Sequence, residues 1–219
     1  MSMIRSVRTG TRLLAGAIGV TLACAAPAAA APTDAPAVKK AAANPLGCTV
    51  DHVLSNPFLA WNDTADYALA PAGDLEGDTS GWTLAGGAAV VAGNQPFAIG
   101  TTGQASLRLP AGSSAQTAPM CIDSSYPHFR LFARNTARAK GTLKAEVLYL
   151  TAKGAVKGSA AGTVVAPGSD WFPTDSLKIG VTFDGTVADG AAPVVFRFTA
   201  GKDSVWQIDD LYVDPMMRR

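Results

Sequence analysis

Two short stretches of this 219-residue chain carry closely spaced carboxylates. The stretch PAGDLEGDTSGW holds Asp74, Glu76 and Asp78 at alternate positions, and WQIDDLYV holds the adjacent pair Asp209 and Asp210. Carboxylates at such spacing can bind a hard cation through oxygen, carry out acid–base catalysis, or solvate a turn. The elements that hold these residues decide which of the three applies.

The first stretch does not fit an EF-hand calcium loop. Counted from Asp74, the sixth position should be Gly but is Thr79, and the twelfth should be Glu but is Ala85. Three interpretations remain open. They are a polar β-turn with Gly77 at a special φ, a cation site shared with another segment, and a catalytic carboxylate pair.

The second stretch places two acids side by side in a predicted strand. Successive side chains of a strand point to opposite faces, so Asp209 and Asp210 cannot both face the core of a regular strand. Either one of them points outward, or a β-bulge redirects it. Both could also be solvated ends of an edge strand.

Five further residues are candidates for ligand binding. Trp61 and Trp171 fall in predicted loops, where an exposed indole could stack its flat face on a sugar ring. Tyr126 is a weaker candidate of the same kind, and the alternative is that each Trp fills the core beneath its loop. Arg130 and Arg134 share one face of a predicted strand. They could bind a carboxylate or phosphate, or pair with acids of the domain itself.

Catalytic motifs find little support. The G-x-S-x-G and H-E-x-x-H patterns are absent, and the chain has only two histidines, His52 and His128. A Ser–His–Asp triad can assemble from residues that are distant in sequence, so a hydrolase stays an alternative. The sequence favours a non-catalytic protein.

The N-terminus has the pattern of an export signal. Residues 1–30 begin with three Arg, continue with a short apolar run and end in small residues, as a signal peptide does. In the alternative, the lipobox-like VTLAC makes Cys24 the lipidated N-terminus of an anchored lipoprotein. The apolar run is shorter than the roughly 20 residues that span a bilayer, and no later window is long and apolar enough. No transmembrane segment is predicted.

The remaining chain divides into a linker and one domain. Residues 31–47 are rich in Ala and Pro without an apolar period, which predicts a tether. Residues 48–215 have a normal length for a single domain with its own core. Removing the three Arg of the leader changes the formal charge from +1 to −2. A nearly neutral domain excludes nucleic acid as an expected partner.

The mature chain would keep two cysteines, Cys48 and Cys121. An even pair in an oxidising compartment predicts one disulfide, which would tie the start of the domain to its middle. Two free thiols and metal ligation are the alternatives, and neither His has ligand spacing with these cysteines.

The domain reads as all-β. Short runs of period two alternate with Gly, Pro, Asn and Asp, and we count eight to ten strands and no amphipathic helix. This pattern predicts an antiparallel β-sandwich. The segment 51–67 is expected to hold one helical turn. The predicted strands cover 81–91, 105–110, 128–135, 141–150, 162–166, 177–183, 193–199 and 205–213.

Two motifs resemble galactose-binding-like jelly rolls, a fold that many carbohydrate-binding modules share. GDLEGDTSGWTL is similar to their opening strand and turn, VWQIDDLYVDP to their last strand, and SDWFPTDSLKI to a middle segment. FRLFARN, GTLKAEVLY and WQIDDLYVDP also resemble segments of secreted bacterial proteins. The jelly-roll resemblance implies a structural calcium held by Glu76 with Asp209 or Asp210, helped by Asp74 and nearby carbonyls.

Together these features predict a secreted, non-catalytic β-sandwich of jelly-roll topology. By resemblance its expected partner is a glycan or cell-wall polymer. The alternatives are a structural envelope protein that binds no small ligand, and an extracellular hydrolase with carboxylate chemistry near Glu76.

Overall fold

The computed structural model describes residues 48–99, 103–137, 140–150, 155–181 and 191–216. The predicted signal peptide, the linker and Cys24 lie outside the described residues. Within the described ranges, no helix is long and apolar enough to cross a membrane.

Strands dominate the described chain. Besides one 3-10 helix at Leu59–Trp61, it contains fourteen strands: β1 Leu54–Ser55, β2 Tyr67–Leu69, β3 Thr83–Ala85, β4 Ala89–Ala92, β5 Ala105–Leu109, β6 Ser114–Gln116, β7 Met120–Ile122, β8 His128–Asn135, β9 Thr142–Leu150, β10 Val156–Val165, β11 Phe172–Pro173, β12 Leu177–Lys178, β13 Ala192–Ala200 and β14 Trp206–Asp214. The helical turn expected in 51–67 is confirmed.

The strands form two antiparallel sheets. In sheet A, β14 lies at the centre, with β8 on one side and both β2 and β5 on the other. Strands β1, β4, β11 and β12 complete this sheet. Sheet B runs β10-β9-β13-β6-β3, with β7 also paired to β13. Because the chain changes sheet repeatedly along its length, the predicted antiparallel sandwich of jelly-roll type is confirmed.

The main core fills the space between the sheets. Phe129 and Leu131 of sheet A, Phe196 and Phe198 of sheet B, and Trp206 of β14 are all fully buried there. The rings of Phe129 and Phe196 are 4.7 Å apart between centroids. Each such side chain contributes on the order of 1.5–3 kcal/mol through burial. These inward side chains all come from the predicted strands 128–135, 193–199 and 205–213.

The predicted strand 81–91 is wrong, because it is two strands in different sheets. Gly86 and Gly87 have φ values of 67° and 84°, a left-handed conformation that a residue with a Cβ rarely adopts. They turn the chain from β3 in sheet B to β4 in sheet A. Trp82 precedes β3 by one residue and is buried in the main core.

The predicted disulfide joins Cys48 to Cys121, with 5.5 Å between their Cα atoms. Cys121 lies in β7 of sheet B, and Cys48 lies a few residues before β1 of sheet A. The bond closes a loop of 73 residues, for which the chain-entropy model gives a stabilisation of roughly 4 kcal/mol.

Candidate functional site

A second hydrophobic cluster lies on the outer face of sheet A. We call it the outer cluster. Its buried members are Phe58, Ala65, Tyr67, Phe132 and Tyr212, and Trp61, Phe97, Ile99 and Trp171 pack against them half-buried. Phe132 belongs to β8, where its neighbours Leu131 and Ala133 point into the main core. The aromatic residues of the outer cluster come from three separate loops and from three strands of sheet A.

Phe58 is the centre of the outer cluster. Its ring stacks on Phe132 at 5.3 Å and meets Tyr67 edge-on at 4.8 Å. The 3-10 helix that follows it brings Trp61 over Phe132, with 5.4 Å between the ring centroids. Phe97 closes the other side and meets Trp61 edge-on at 4.9 Å. These edge-to-face and offset geometries are the ones that aromatic pairs prefer.

Arg130 is one of the two predicted anion-binding arginines, and it is already engaged. Its guanidinium lies 4.1 Å from the centroid of the Phe58 ring and 2.8 Å from an Asp63 oxygen. Its Nε donates to the carbonyl of Thr174. Burial raises the pKa of the Asp63 carboxyl, but hydrogen bonds from Tyr67 and the Ala65 backbone and the Arg130 charge outweigh it, so the pKa lies below its ordinary value.

Arg134 is the other predicted arginine, and it has a different environment. Its guanidinium lies 5.0 Å from the centroid of the Trp171 ring, and its Nε donates to the Gln207 side-chain oxygen. Among the described residues, no carboxylate is within ion-pair distance of Arg134. The structure therefore brings Trp61, Trp171, Arg130 and Arg134 to one face of one sheet.

A row of polar side chains crosses sheet A beside the outer cluster. Gln207 of β14 is opposite Arg108 of β5 on one side and Arg134 of β8 on the other. Opposite residues of paired strands project to the same face. This is the outer face, because Leu107 and Leu109 flank Arg108 and point into the main core. Arg108 is exposed and has no hydrogen bond or ion pair with any described residue.

Asp209 and Asp210 are both buried in the central strand of sheet A, so the expectation of a solvated edge is wrong. The pairing of β14 with β8 shifts register between Asp209 and Tyr212, and Asp210 has a φ of 48°. This is the predicted bulge. It directs both carboxylates toward Gln95: Asp209 accepts from the Gln95 backbone N–H at 3.2 Å, and Asp210 accepts from its side chain at 2.8 Å.

The acid pair holds the loop that carries Phe97. The side-chain oxygen of Gln95 accepts the Phe97 N–H at 2.6 Å, so one buried glutamine links the bulge to the outer cluster. Burial raises the pKa of Asp209 to about 8, with the Asp210 charge adding to the effect. Burial also raises the pKa of Asp210 to about 6, and the charges of Asp74 and Glu76 act in the same direction.

Glu76 contacts the beginning of β5. One of its oxygens accepts from the backbone N–H groups of Gln104 and Ala105. Its neighbour Asp74 accepts the Glu76 N–H at 3.3 Å. The structure therefore brings Asp74 and Glu76 close enough to Asp209 and Asp210 to affect their pKa values. Asp78 is separate from them.

Asp78 caps a local turn. It is exposed and accepts the Ser80 N–H at 2.8 Å, and the preceding Gly77 has a φ of 86°. For this residue and its glycine, the interpretation as a polar turn is confirmed.

The carboxylates of Asp74, Glu76, Asp209 and Asp210 lie near one another, and we call this group the acid pocket. Ser106, which follows the residue that Glu76 binds, has a buried hydroxyl without a hydrogen-bond partner. Leu107 pairs with Ile208, so Ser106 and Asp209 are neighbours across the two strands. No Lys or Arg of the described residues forms an ion pair with any of the four acids. The described residues also contain no group of three or more His, Cys, Asp or Glu that could hold a metal ion.

Tyr126 and His52 lie away from this face. Tyr126 is buried in the main core and meets His52 edge-on at 5.7 Å. The Nε2 of His52 is 2.7 Å from the Cys121 carbonyl. The structure does not bring Tyr126 together with the other four candidate ligand residues.

Three residues of this region were missed from the sequence: Gln95, Phe97 and Gln207. Gln207 lies between Trp206 and Ile208, both of which face the main core, so alternation gives its outward direction but not its neighbours. Gln95 and Phe97 lie in NQPFAIG, where an aromatic residue in a polar loop was the only signal. The contact between Gln95 and Asp209 joins residues 114 apart, which no local pattern shows.

Comparisons with family models and with curated proteins gave no match. Solved structures of carbohydrate-binding modules are similar in fold. One contains the CBM22-1 and GH10 modules of Clostridium thermocellum xylanase Xyn10B with xylohexaose, with TM-score 0.47 and 15% identity over 67% of this chain and 28% of that one. This chain therefore spans less than a third of that protein.

Two single modules are also similar. The C-terminal family 22 module of the same Xyn10B has TM-score 0.45 and 14% identity over 67% of this chain and 94% of that one. TmCBM61 in complex with β-1,4-galactotriose has TM-score 0.38 and 17% identity over 75% of this chain and 98% of that one. At these identities and scores, the likeness assigns no ligand to this chain.

Proposed function

We propose that this protein is a non-catalytic glycan-binding module whose binding surface is the outer face of sheet A. The observation that carries the proposal is the set of half-buried aromatic rings, Trp61, Phe97 and Trp171, next to Arg134 and Gln207. An apolar surface with a few polar groups at fixed positions is the usual composition of a carbohydrate or small-molecule site.

Each part of the surface has a definite role in this proposal. The Trp171 indole offers an apolar ring face for a sugar and an N–H for its hydroxyls. Gln207 and Arg134 donate hydrogen bonds, and their mutual contact fixes their direction. The packing of Trp61 and Phe97 holds the wall of the site rigid, which lowers the entropy cost of binding.

A binding assay on immobilised polysaccharides tests the proposal. The mature chain is offered xylan, galactan, β-glucan and uronic acid polymers, and Trp171→Ala is expected to weaken binding by roughly tenfold. Val165→Ala is the control, since Val165 is an exposed apolar residue of β10 in sheet B. Absence of binding to every polymer, or an equal loss in both variants, would overturn the proposal.

We further propose that the acid pocket binds a structural calcium ion. Glu76 and Asp210, with backbone carbonyls, would hold the ion, because calcium takes mixed carboxylate and carbonyl oxygens. The support is the group of four carboxylates that have no ion pair with any described Lys or Arg, together with the unpartnered Ser106 hydroxyl. Calcium should raise the melting temperature and EDTA should lower it, whereas Asp210→Asn should remove the response. The same melting temperature in calcium and in EDTA, together with no metal by elemental analysis, contradicts the calcium site.

The proposed module acts outside the cell. This rests on the export pattern of residues 1–30, with lipid anchoring through Cys24 as the alternative. The intact mass of the secreted protein separates the two, because a lipid on Cys24 adds a large fixed mass.

A further inference from the structure

We propose that the glycan bound by this face is acidic, and that Arg108 and Arg134 bind the carboxylates of its uronic acid units. This inference rests on the proposed glycan-binding function and names its ligand class. It is carried by the row Arg108–Gln207–Arg134, which crosses three adjacent strands of sheet A on one face.

The register fixes the spacing of the two arginines along the backbone. Arg108 and Arg134 are each directly opposite Gln207, on the two strands that flank it. Neighbouring strands are about 4.8 Å apart, so the two arginine Cα atoms are separated by about 10 Å. A polysaccharide that crosses the strands would therefore pass both arginines, with the outer cluster along one side.

The orientation of Arg134 leaves its outer donors available. Its Nε is used by Gln207, which is itself buried, and its guanidinium plane lies near the Trp171 ring. The terminal nitrogens have no partner among the described residues. A planar guanidinium fixed in this way presents two parallel N–H groups, which match the two oxygens of a carboxylate.

Arg130, on the same face, has its charge and hydrogen-bond donors paired within the chain. It lies in β8, four residues before Arg134. Its partners are the Asp63 carboxylate at 2.8 Å and the Thr174 carbonyl. Arg108 and Arg134 have no such carboxylate among the described residues. An external anion would give them the partner that Arg130 finds within the chain.

The charge of the domain favours a carboxylated glycan over a denser polyanion such as a nucleic acid. Without the predicted leader the formal charge is −2, so a nucleic acid would meet repulsion beyond the two arginines. The aromatic rings beside the row supply the apolar contact that sugar rings need and that a phosphate backbone does not use.

Binding to matched polymers tests this inference. Polygalacturonate, alginate and glucuronoxylan are each compared with their own carboxyl-reduced forms, so that only the charged group differs. Arg108→Gln and Arg134→Gln are measured beside Lys157→Gln, which removes one exposed positive charge from β10 in sheet B. Arg134→Lys keeps the charge but loses the bidentate geometry. Melting temperatures confirm that each variant is folded.

The expected result is tighter binding of at least one acidic polymer than of its reduced form. Each Arg→Gln variant should lose about tenfold in affinity for the acid and keep its affinity for the reduced form, while Lys157→Gln changes neither. Equal affinity for the two forms, or equally tight binding to dextran sulfate, overturns the inference.

The proposed function can survive that failure. Binding to neutral polymers that needs Trp171 but ignores both arginines would keep the glycan module and remove its acidic ligand. Absence of binding to any polymer removes both.

Discussion

The two sheets have outer faces of opposite character. On sheet B, Glu146 pairs with Lys144 and with Arg197, each at 2.9 Å, so the charged groups satisfy one another. On sheet A, one arginine is paired and two are not, and loops build an aromatic wall beside them. Both faces carry charged groups, but among the described residues only the outer face of sheet A has arginines without an ion pair.

Sheet B also carries an apolar groove, but it lacks directed polar groups. The groove is lined by Pro119, Leu148, Tyr149, Leu150, Val156, Pro193 and Val195. It is the feature that a structural envelope protein would use for assembly. Sheet A instead combines ring faces with hydrogen-bond donors, which suits a sugar.

The largest effect is expected from Phe58→Ala. Phe58 is fully buried at the centre of the outer cluster, so its loss should lower the free energy of unfolding by about 3–5 kcal/mol. Val195→Ala, a half-buried truncation on the outer face of sheet B, should cost under about 1.5 kcal/mol. Urea denaturation measures both. Phe58→Leu should keep the fold and weaken glycan binding. Similar costs for the two Ala variants would mean that the outer cluster is only surface packing.

Gln95→Ala should have the next largest effect, at about 1–3 kcal/mol, because it leaves the buried Asp210 carboxylate without its side-chain donor. It also frees the Phe97 N–H, so amide hydrogen exchange at Phe97 should accelerate. Gln104→Ala is the matched control, since Gln104 is exposed and uses only its backbone in the acid pocket. Unchanged exchange at Phe97 would show that the bulge does not hold this loop.

The sequence predicted strands and their faces wherever apolar and polar residues alternate along the chain. The prediction that Arg130 and Arg134 share one face of a strand is confirmed, because Phe129, Leu131 and Ala133 between and beside them face the main core. Two adjacent acids in one strand made a bulge one of the alternatives, and the bulge is the one that the structure shows. These are local rules, so one strand is enough to apply them.

Contacts between strands could not be predicted in this way. The row Arg108–Gln207–Arg134 depends on register, which is set by packing of the whole sandwich. The difference between Arg130 and Arg134 depends on Asp63, which lies in a loop 67 residues before Arg130 in the chain. The division of 81–91 into two strands depends on two glycines whose φ values the apolar pattern hides.

The ion pair of Arg130 and Asp63, on the outer face of sheet A, should make the free energy of unfolding depend on pH in the acid range. The pKa of Asp63 is lowered in the folded protein, so its stabilising contribution is complete above the unfolded pKa of about 3.9 and is lost as pH falls through the folded value. Asp63→Asn should therefore cost about 1–3 kcal/mol at pH 7 and progressively less below pH 4. Urea denaturation at pH 7, 5 and 3 measures this difference.

A double-mutant cycle with Arg130→Met assigns the effect to the pair. The interaction energy between the two positions should be present at pH 7 and should vanish at low pH. A constant cost of Asp63→Asn at every pH would mean that shape, and not charge, is what the carboxylate supplies at this position.

The smallest effect is expected from Lys144→Gln on sheet B. Burial raises the pKa of Glu146, and hydrogen bonds from Lys144 and Arg197 lower it by more, so the carboxylate stays charged in the folded protein. The Lys144 side chain is 55% exposed, and exposed pairs contribute roughly 0–1 kcal/mol. Because Arg197 remains beside Glu146, the free energy of unfolding should change by less than about 0.5 kcal/mol and glycan binding should not change. Urea denaturation measures the free energy of unfolding, and titration calorimetry measures glycan binding. A loss of binding in this variant would place the ligand on sheet B and reverse the contrast between the two faces.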